Sequence, residues 1–293
     1  MQTERSNFKR LRFKNPNVKL MLAIGGWDEG SVTYSNVASS SLKRAVFVTS
    51  VYELLNLYGF DGLDFNWQAP GLRGGLYQQD KINFAILLRE LKEKFAGAKL
   101  LTATVGAAQE YLDLSYDAVQ MNELVQKISI LFRKIDSICY YSHDLINLYT
   151  YEYNGAYDPV TGRFPPAITG LNAPLYAATF DVNKQLNQNA SVNAWINAGV
   201  SPNKLLLGIP FFGRKYNLTT QNNSRKVPYF YDDYEWISYD DARSVQIKAE
   251  YAVSQNLAGV MVWSIEDDDN KNVCGGGAYP LLSTIYKVLS PMK

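Results

Sequence analysis

The sequence predicts an α/β domain of barrel size, in which buried strands alternate with amphipathic helices. The chain has 293 residues, and its length suits one barrel domain of alternating strands and helices. Apolar runs at residues 18–24 and 100–105 have the length of buried strands, and the segments between them repeat apolar residues at helical spacing. Alternation of this kind is typical of parallel strand–helix units. A further predicted strand, at residues 60–70, has two faces of different polarity.

Composition argues against several classes of function. The formal net charge is +1, with 47% apolar and 19% charged residues, which argues against an electrostatic interface with nucleic acid or an anionic membrane. No apolar run reaches the roughly 20 residues of a membrane-spanning helix. Two cysteines, Cys139 and Cys274, are too few to define a disulfide framework. The first residues lack the apolar stretch of a secretory signal, so none is predicted in the chain as written.

Two helices are predicted on either side of the strand at residues 60–70. The first spans residues 39–58 and ends at Gly59. Its predicted inward-facing residues are Val46, Val51, Leu54, Leu55 and Tyr58. The second spans residues 80–95, and its apolar stripe consists of Phe84, Leu87, Leu88 and Leu91.

The second half of the chain continues the alternation. The predicted elements are a helix at residues 175–198, a strand at 202–213, a helix at 239–255 and a strand at 257–266. Residues 125–141 fit the pattern less well, and two interpretations stay open. They form an extra helix, or they come from an imperfect gene model and are not native. Cys139 lies in this segment, so we assign it no role.

The strand at residues 60–70, FDGLDFNWQAP, carries a polar row. With a period of two, Leu63, Phe65 and Trp67 fall on one face, and the opposite face carries Asp64, Asn66 and Gln68. A polar group buried without a partner costs about 1–3 kcal/mol, so a fully buried strand keeps such a row only where something uses it. The alternative is an edge strand with one face in water.

The same stretch resembles a known signature. Asp61-x-x-Asp64-x-Asn66-x-Gln68 is similar to the DxxDxDxE strand motif of glycoside hydrolase family 18, which contains the chitinases and chitinase-like proteins. Further segments resemble this family at residues 23–27 (AIGGW), 146–155 (INLYTYEYNG), 202–213 (PNKLLLGIPFFG) and 257–266 (LAGVMVWSIE). The resemblance covers nearly the whole chain, and it implies an α/β fold of the TIM (β/α)8-barrel type.

The resemblance begins at the family's third strand. It implies a family-18 barrel domain over residues 1–293 that is partial at its N-terminus, lacking the first two strands and most of the small α+β insertion. Residues 214–236 would be the remnant of that insertion. Six strands leave open edges. Either residues 1–17 and the long segment at 125–141 complete the sheet, or the sequence is a fragment or truncated isoform, which we favour.

Two departures from the family motif bear on the expected function. In this family the acetamido oxygen of the substrate attacks the anomeric carbon, so no protein nucleophile is needed. The resemblance implies that the motif's Glu protonates the leaving oxygen and its neighbouring Asp steadies the acetamido group. Here these positions hold Gln68 and Asn66, and an amide has no proton to give. The predicted protein therefore binds chitin or N-acetylglucosamine oligosaccharides without hydrolysing them.

The resemblance also implies a set of sugar-binding residues. Tyr151 matches the tyrosine that bonds the acetamido group, and Trp263 matches the tryptophan under the central sugar, although an apolar strand residue of this kind can also be core. Glu152 stands where the family has Asp. Trp27 resembles an aromatic at the edge of the cleft, or it packs at the barrel rim. Arg214 resembles a cleft arginine, or it is a simple surface charge.

Other interpretations stay open. A weakly active glycosidase would need another acid, and Glu152 is the candidate that the resemblance offers. A degenerate fragment without stable function is the third possibility. Tyr149 and Phe212 also depart from the family pattern, which favours natural divergence over an engineered substitution of Asn66 and Gln68.

No cofactor or metal is predicted, and the sequence does not identify a protein partner. The only histidine is His143, and residues 267–269 (Asp-Asp-Asp) lack the spacing of a calcium loop, so a solvated turn is expected there. The family resemblance implies an extracellular location. Sequons at Asn189, Asn217 and Asn222 would carry glycans only in a secreted protein.

Overall fold

The structure is a computed structural model that describes residues 11–126, 145–154, 170–179, 181–217, 229–232 and 235–290. The chain divides into two compact units. The first consists of Met1–Val105 with Asp113–Ile146, and the second of Gly106–Leu112 with Asn147–Lys293. The predicted segment at residues 125–141 lies outside the described residues from position 127 onward. No helix in the described part of the chain is long and apolar enough to span a membrane.

Three strands form the sheet of the first unit, in the order β1-β2-β3 with parallel pairing. They are β1 (Met21–Gly25), β2 (Gly62–Asn66) and β3 (Leu100–Gly106). The helices of this unit are α1 (Val32–Ala38), α2 (Ser41–Tyr58), α3 (Gln79–Phe95) and α5 (Ala118–Gln126), whereas α4 (Gln109–Ser115) has residues in both units. The strand–helix alternation predicted for this half is therefore confirmed.

The second unit holds two kinds of sheet. In one, β5 (Leu205–Pro210) lies between β4 (Ile146–Tyr149) and the parallel strand β9 (Gly259–Trp263). In the other, β6 (Arg214–Asn217), β8 (Glu235–Ser238) and β7 (Tyr229–Asp232) pair antiparallel in that order. The helices are α6 (Gln188–Asn197), α7 (Ala242–Ser254) and α8 (Pro280–Leu289). The antiparallel sheet falls on the residues predicted as the insertion remnant, an identification that stays a prediction.

An aromatic cluster fixes the apolar face of β2. Phe65 stacks on Phe84 of α3 with ring centroids 5.8 Å apart, and Trp67 meets Phe84 edge-on at the same distance. Tyr34 of α1 packs edge-on against Phe65 at 5.3 Å. Leu63, Phe65 and Trp67 are almost completely buried, as the two-residue period predicted. Because β2 lies between β1 and β3, the edge-strand alternative is wrong.

The inward face of α2 differs from the prediction. Val48, Val51 and Leu55 are buried, whereas Val46 and Leu54 are exposed. The helix also exposes other apolar residues, Leu42 and Leu57 among them. Because apolar residues occur on both faces, their periodicity does not identify the inward one.

Element bounds in the second unit also differ from the prediction. The helix expected at residues 175–198 is limited to α6, and it begins after Asn187, whose side chain accepts a hydrogen bond from the Ala190 N–H. This N-cap satisfies a backbone donor of the first turn and sets the start of the helix. Asp241 caps α7 in the same way, through the Ser244 N–H.

The Asp267–Asp269 turn has a structural role. The Asp268 carboxylate accepts the N–H groups of Leu281 and Leu282 at the start of α8, at 3.3 and 2.9 Å. Asp268 is buried, so the expectation of a solvated turn is wrong for this residue. Hydrogen bonds from backbone N–H groups, those of Cys274 and Val273 first, hold the pKa of Asp269 below its usual value. Within the described residues no group of three or more His, Cys, Asp or Glu side chains could hold a metal ion.

Adjacent leucines on α2 test which face is inward. Leu55 is fully buried, whereas 37% of Leu54 is exposed. We expect Leu55→Ala to lower the free energy of unfolding by about 2–5 kcal/mol, because the cavity adds to the lost burial. The matched Leu54→Ala variant should lose less than about 1 kcal/mol. Urea denaturation of both variants measures the difference, and equal losses would contradict the orientation of α2 described here.

Candidate functional site

The polar row of β2 is anchored by threonines of β3. Asp64 pairs in register with Thr102, and its two carboxylate oxygens accept hydrogen bonds from the hydroxyls of Thr102 and Thr104 at 2.6 and 2.9 Å. Both threonines are buried, so the carboxylate is held in one orientation. Our sequence interpretation missed these partners. The alternation Thr102-x-Thr104, which places two hydroxyls on one face of a strand, is the signal that could have identified them.

Asn66 follows Asp64 in the row and is only 7% exposed. Its side-chain oxygen has no hydrogen-bond partner among the described residues. The backbone of β1 comes close here, because the Gly26 N–H donates to the Asn66 carbonyl at 2.9 Å and a Cβ on Gly25 would collide with that same carbonyl oxygen. A buried acceptor without a partner costs about 1–3 kcal/mol, so Asn66 is an energetically unfavourable member of the polar row.

Gln68 lies just beyond the end of β2. The Tyr116 hydroxyl donates to the carbonyl oxygens of Trp67 and Gln68, and it fixes the backbone where the strand ends. The Gln68 side chain is partly buried. The phenol of Tyr34 lies near Gly25, and burial raises the pKa of Tyr34 to about 12, with a smaller effect from Glu29. Tyr34 therefore stays protonated at neutral pH.

The second unit contains an aromatic cluster around Tyr151, which is 3% exposed. Its ring lies 4.1 Å from that of Tyr149 between centroids, and Phe212 meets it edge-on at 5.7 Å. The Tyr151 hydroxyl points towards the sulfur of Met261 at 4.0 Å. The two departures from the family pattern, Tyr149 and Phe212, therefore both pack against the tyrosine that the resemblance assigns to the acetamido group.

Glu152 is bound on both sides of its carboxylate. One oxygen accepts a hydrogen bond from the Tyr149 hydroxyl, and the other pairs with the Arg214 guanidinium. The Glu152 N–H donates to the Asn172 side chain at 3.2 Å, and its φ angle is +58°. Arg214 is therefore the ion-pair partner of Glu152, and its place in a cleft stays a prediction.

Trp263 ends β9, and 54% of it is exposed. It lies opposite Pro210 of β5, and its carbonyl accepts the Phe211 N–H at 2.8 Å; the Trp263–Ser264 peptide bond is cis. The indole is not a core residue, so the core alternative is wrong. An exposed indole at a strand end is available for stacking against a ligand.

Trp27 follows β1 and is partly buried. The Arg73 guanidinium lies over its ring, 3.8 Å from the centroid. This contact was not predicted, because 46 positions separate the two residues and no motif links them.

Each unit thus gathers one set of predicted site residues. The first unit holds Asp64, Asn66, Gln68 and Trp27, and the second holds Tyr151, Glu152, Arg214 and Trp263. In the second set, Glu152 and Arg214 are in direct contact, and Tyr149 contacts both Glu152 and Tyr151.

The Asp64 anchor can be tested through Thr104. We expect Thr104→Val to lower the free energy of unfolding by about 1–3 kcal/mol, because one oxygen of a partly buried carboxylate loses its donor. Thr104→Ser keeps the hydroxyl and serves as the matched control, with a smaller loss. Chemical denaturation near neutral pH provides the measurement. If the valine and serine variants are equally stable, the hydroxyl does not support Asp64.

Comparison with known sequences identifies relatives along nearly the whole chain. Chitotriosidase-1 of Mus musculus is 30% identical over 329 residues, covering 96% of this chain and 65% of that protein. Endochitinase of Manduca sexta is 29% identical, covering 97% of this chain and 56% of that protein. The chain therefore spans 65% and 56% of the length of these two relatives.

Solved structures of the same fold include chitinases and a protein described as a pseudo-chitinase. The group IV chitinase of Ostrinia furnacalis matches with a TM-score of 0.83 and 33% identity, covering 99% of this chain and 85% of that one, and it has also been solved with allosamidin. Human YKL-39, described as a pseudo-chitinase with retained chitooligosaccharide binding, matches with a TM-score of 0.82 and 25% identity, covering 98% and 85%.

These neighbours confirm the predicted fold class, which is that of the family-18 TIM-barrel chitinases. The sequence model of the family described as "Glycosyl hydrolases family 18" matches residues 2–268. Together with the similarity to chitotriosidase-1, this match shows that the chain belongs to glycosyl hydrolase family 18.

Proposed function

We propose that this chain binds chitin-type oligosaccharides and does not hydrolyse them. The observation that carries the proposal is the amide pair, Asn66 and Gln68, in a polar row that otherwise keeps its framework. Asp64 retains both threonine donors, and Tyr116 holds the backbone at Gln68. The likeness to human YKL-39, a pseudo-chitinase with retained chitooligosaccharide binding, supports the same combination of properties.

The chemistry of the two amides explains the expected loss of catalysis. General acid catalysis contributes roughly 10²–10⁴-fold to rate, and the Gln68 carboxamide has no proton to deliver. Asn66 can orient an acetamido group, but it carries no negative charge to offset a developing positive oxazolinium. Both amides still donate and accept hydrogen bonds, so recognition of a sugar can survive where turnover does not.

Binding groups remain in each unit. In the first, the amide side chains of Asn66 and Gln68 supply hydrogen-bond donors and acceptors for an acetamido group. In the second, the exposed indole of Trp263 is a suitable floor for the apolar face of a sugar ring, and Tyr151 adds a hydroxyl. Within the second unit, an aromatic surface with a nearby polar group is a composition common in small-molecule sites. We further propose an extracellular location, from the family resemblance.

The alternative of a weakly active glycosidase depends on Glu152. Its two carboxylate oxygens are already engaged by Tyr149 and Arg214. A general acid must present its proton to the leaving oxygen at hydrogen-bond distance, so Glu152 would first have to leave both partners. This arrangement favours the binding proposal over the enzyme.

The amide pair can be reverted to test catalysis. We expect no turnover of a chromogenic N-acetylglucosamine oligomer between about pH 4 and pH 8, since neither amide ionises there. The double variant Asn66→Asp with Gln68→Glu should recover measurable hydrolysis. Gln68→Glu combined with Asp64→Asn is the matched control, which restores the acid but removes the anchored carboxylate. Wild-type turnover close to that of an active chitinase assayed in parallel would refute the proposal.

Binding can be tested at Trp263. We expect Trp263→Ala to weaken binding of a chitin oligomer by about 2–4 kcal/mol, the range for loss of a central aromatic contact. The matched Trp27→Ala variant should lose less. Calorimetric titration of folded wild type and both variants measures these differences. A well-folded wild type that binds no chitin oligomer would remove the lectin proposal, and binding unaffected by Trp263→Ala would place the sugar elsewhere.

A further inference from the structure

We propose that Arg73 limits the number of sugars that contribute to binding, because its guanidinium covers a face of Trp27, the aromatic that the family resemblance places at the edge of the cleft. The inference rests on the proposed function and concerns the outer sugars of a bound oligosaccharide. Short oligosaccharides would bind as well as long ones, since the additional sugars of a longer chain gain no contact with this indole.

The contact between the two side chains is direct and doubly fixed. The Arg73 guanidinium carbon lies 3.8 Å from the centre of the Trp27 ring, well inside the range of about 6 Å at which a cation is attracted to an indole face. The Arg73 Nη1 group also donates a hydrogen bond to the Trp27 carbonyl oxygen. A sugar that stacked on this face would have to displace both interactions.

The loop that carries Arg73 is anchored from α1. The Ser31 N–H donates to the Arg73 carbonyl at 3.4 Å. The Ser31 hydroxyl donates to the Ala69 carbonyl at 2.8 Å and accepts from the Trp67 indole at 2.9 Å. Ser31 is buried, so the backbone at Arg73 and at Ala69 is tied to the same buried residue, through its N–H and its hydroxyl respectively.

A buried carboxylate anchors the same loop on both sides of Arg73. Asp80, which is fully buried, accepts the Gly71 N–H at 3.1 Å and the Leu76 N–H at 2.7 Å. The Ser35 hydroxyl donates to its other oxygen at 2.9 Å. Because the loop is held before and after Arg73, whose φ angle is +50°, the guanidinium is positioned over Trp27 by the framework and does not rest there as a freely moving surface side chain.

The strand register makes Trp27 an outer position. Gly25 of β1 pairs with Asn66 of β2, and Trp27 and Gln68 each follow two residues later along parallel strands. Trp27 is therefore displaced from the polar row by one strand, and β1 is the last strand of its sheet within the described residues. A sugar near the amide pair would not need this indole, whereas the outer sugars of a longer oligomer could reach it.

The test compares a short and a long ligand. Calorimetric titration of the full chain with the N-acetylglucosamine trimer and hexamer would use the wild type, Arg73→Ala, Trp27→Ala and the double variant. We expect Arg73→Ala to raise affinity for the hexamer by about three- to tenfold, in the range for gain of one aromatic contact, and to leave the trimer unchanged. Trp27→Ala alone should change neither affinity by more than about twofold, and the double variant should lose the gain.

Several outcomes would overturn the proposed role of Arg73. Weaker hexamer binding by Arg73→Ala would make Arg73 a sugar contact and overturn the inference, as would an equal gain for trimer and hexamer. If Arg73→Ala does not fold, Arg73→Gln removes the cation with a smaller loss of volume, and Trp27→Ala in the wild-type background still decides. A large hexamer-specific loss in Trp27→Ala would show that the ring is accessible. A folded wild type that binds neither oligomer would overturn the proposed function and this inference with it.

Discussion

The placement of β2 between two parallel neighbours is the constraint on which the first unit depends. Phe65 and Trp67 pack into an aromatic cluster with Phe84, so one face of the strand is committed to the core. A slip of one residue would move every side chain to the opposite face, burying Asp64 among rings and exposing Phe65. Apolar packing thereby fixes the register of the polar row, and the two threonines of β3 fix the orientation of its first carboxylate.

Because apolar packing on one face holds β2 in place, residues on its polar face could change without loss of the fold. Asn and Gln have nearly the shape of Asp and Glu, and both sit on the face opposite the aromatic cluster. An exchange of acid for amide at positions such as 66 and 68 would therefore alter charge and proton donation without disturbing the packing that holds β2. The family contains both outcomes on one fold, since a group IV chitinase and a pseudo-chitinase have closely similar TM-scores against this chain. Fold alone consequently does not assign activity.

Burial was predicted correctly from the sequence in those elements where the apolar residues follow a single periodicity. The two faces of β2 and the stripe of α3 follow from alternation and helical spacing, and both are confirmed. The prediction was wrong for Val46 and Leu54 of α2, because that helix is apolar on two sides and the choice between them depends on tertiary packing. The Glu152–Arg214 pair joins residues 62 positions apart, so local patterns carry no information about it. The partners of Asp64 were predictable in principle from the alternating threonines of β3.

The two tryptophans show where a motif match stops being informative. The family resemblance assigns Trp263 to the floor under the central sugar and Trp27 to the edge of the cleft. The Trp27 ring lies under a guanidinium, whereas Trp263 is 54% exposed. A motif fixes the backbone position of an aromatic residue. Whether the ring is exposed or covered depends on neighbouring residues that the motif does not contain. Arg73 is such a residue, held over Trp27 by Ser31 and Asp80. Ligand selectivity could therefore differ between relatives whose aromatic positions are identical, where a neighbouring loop covers one of the rings.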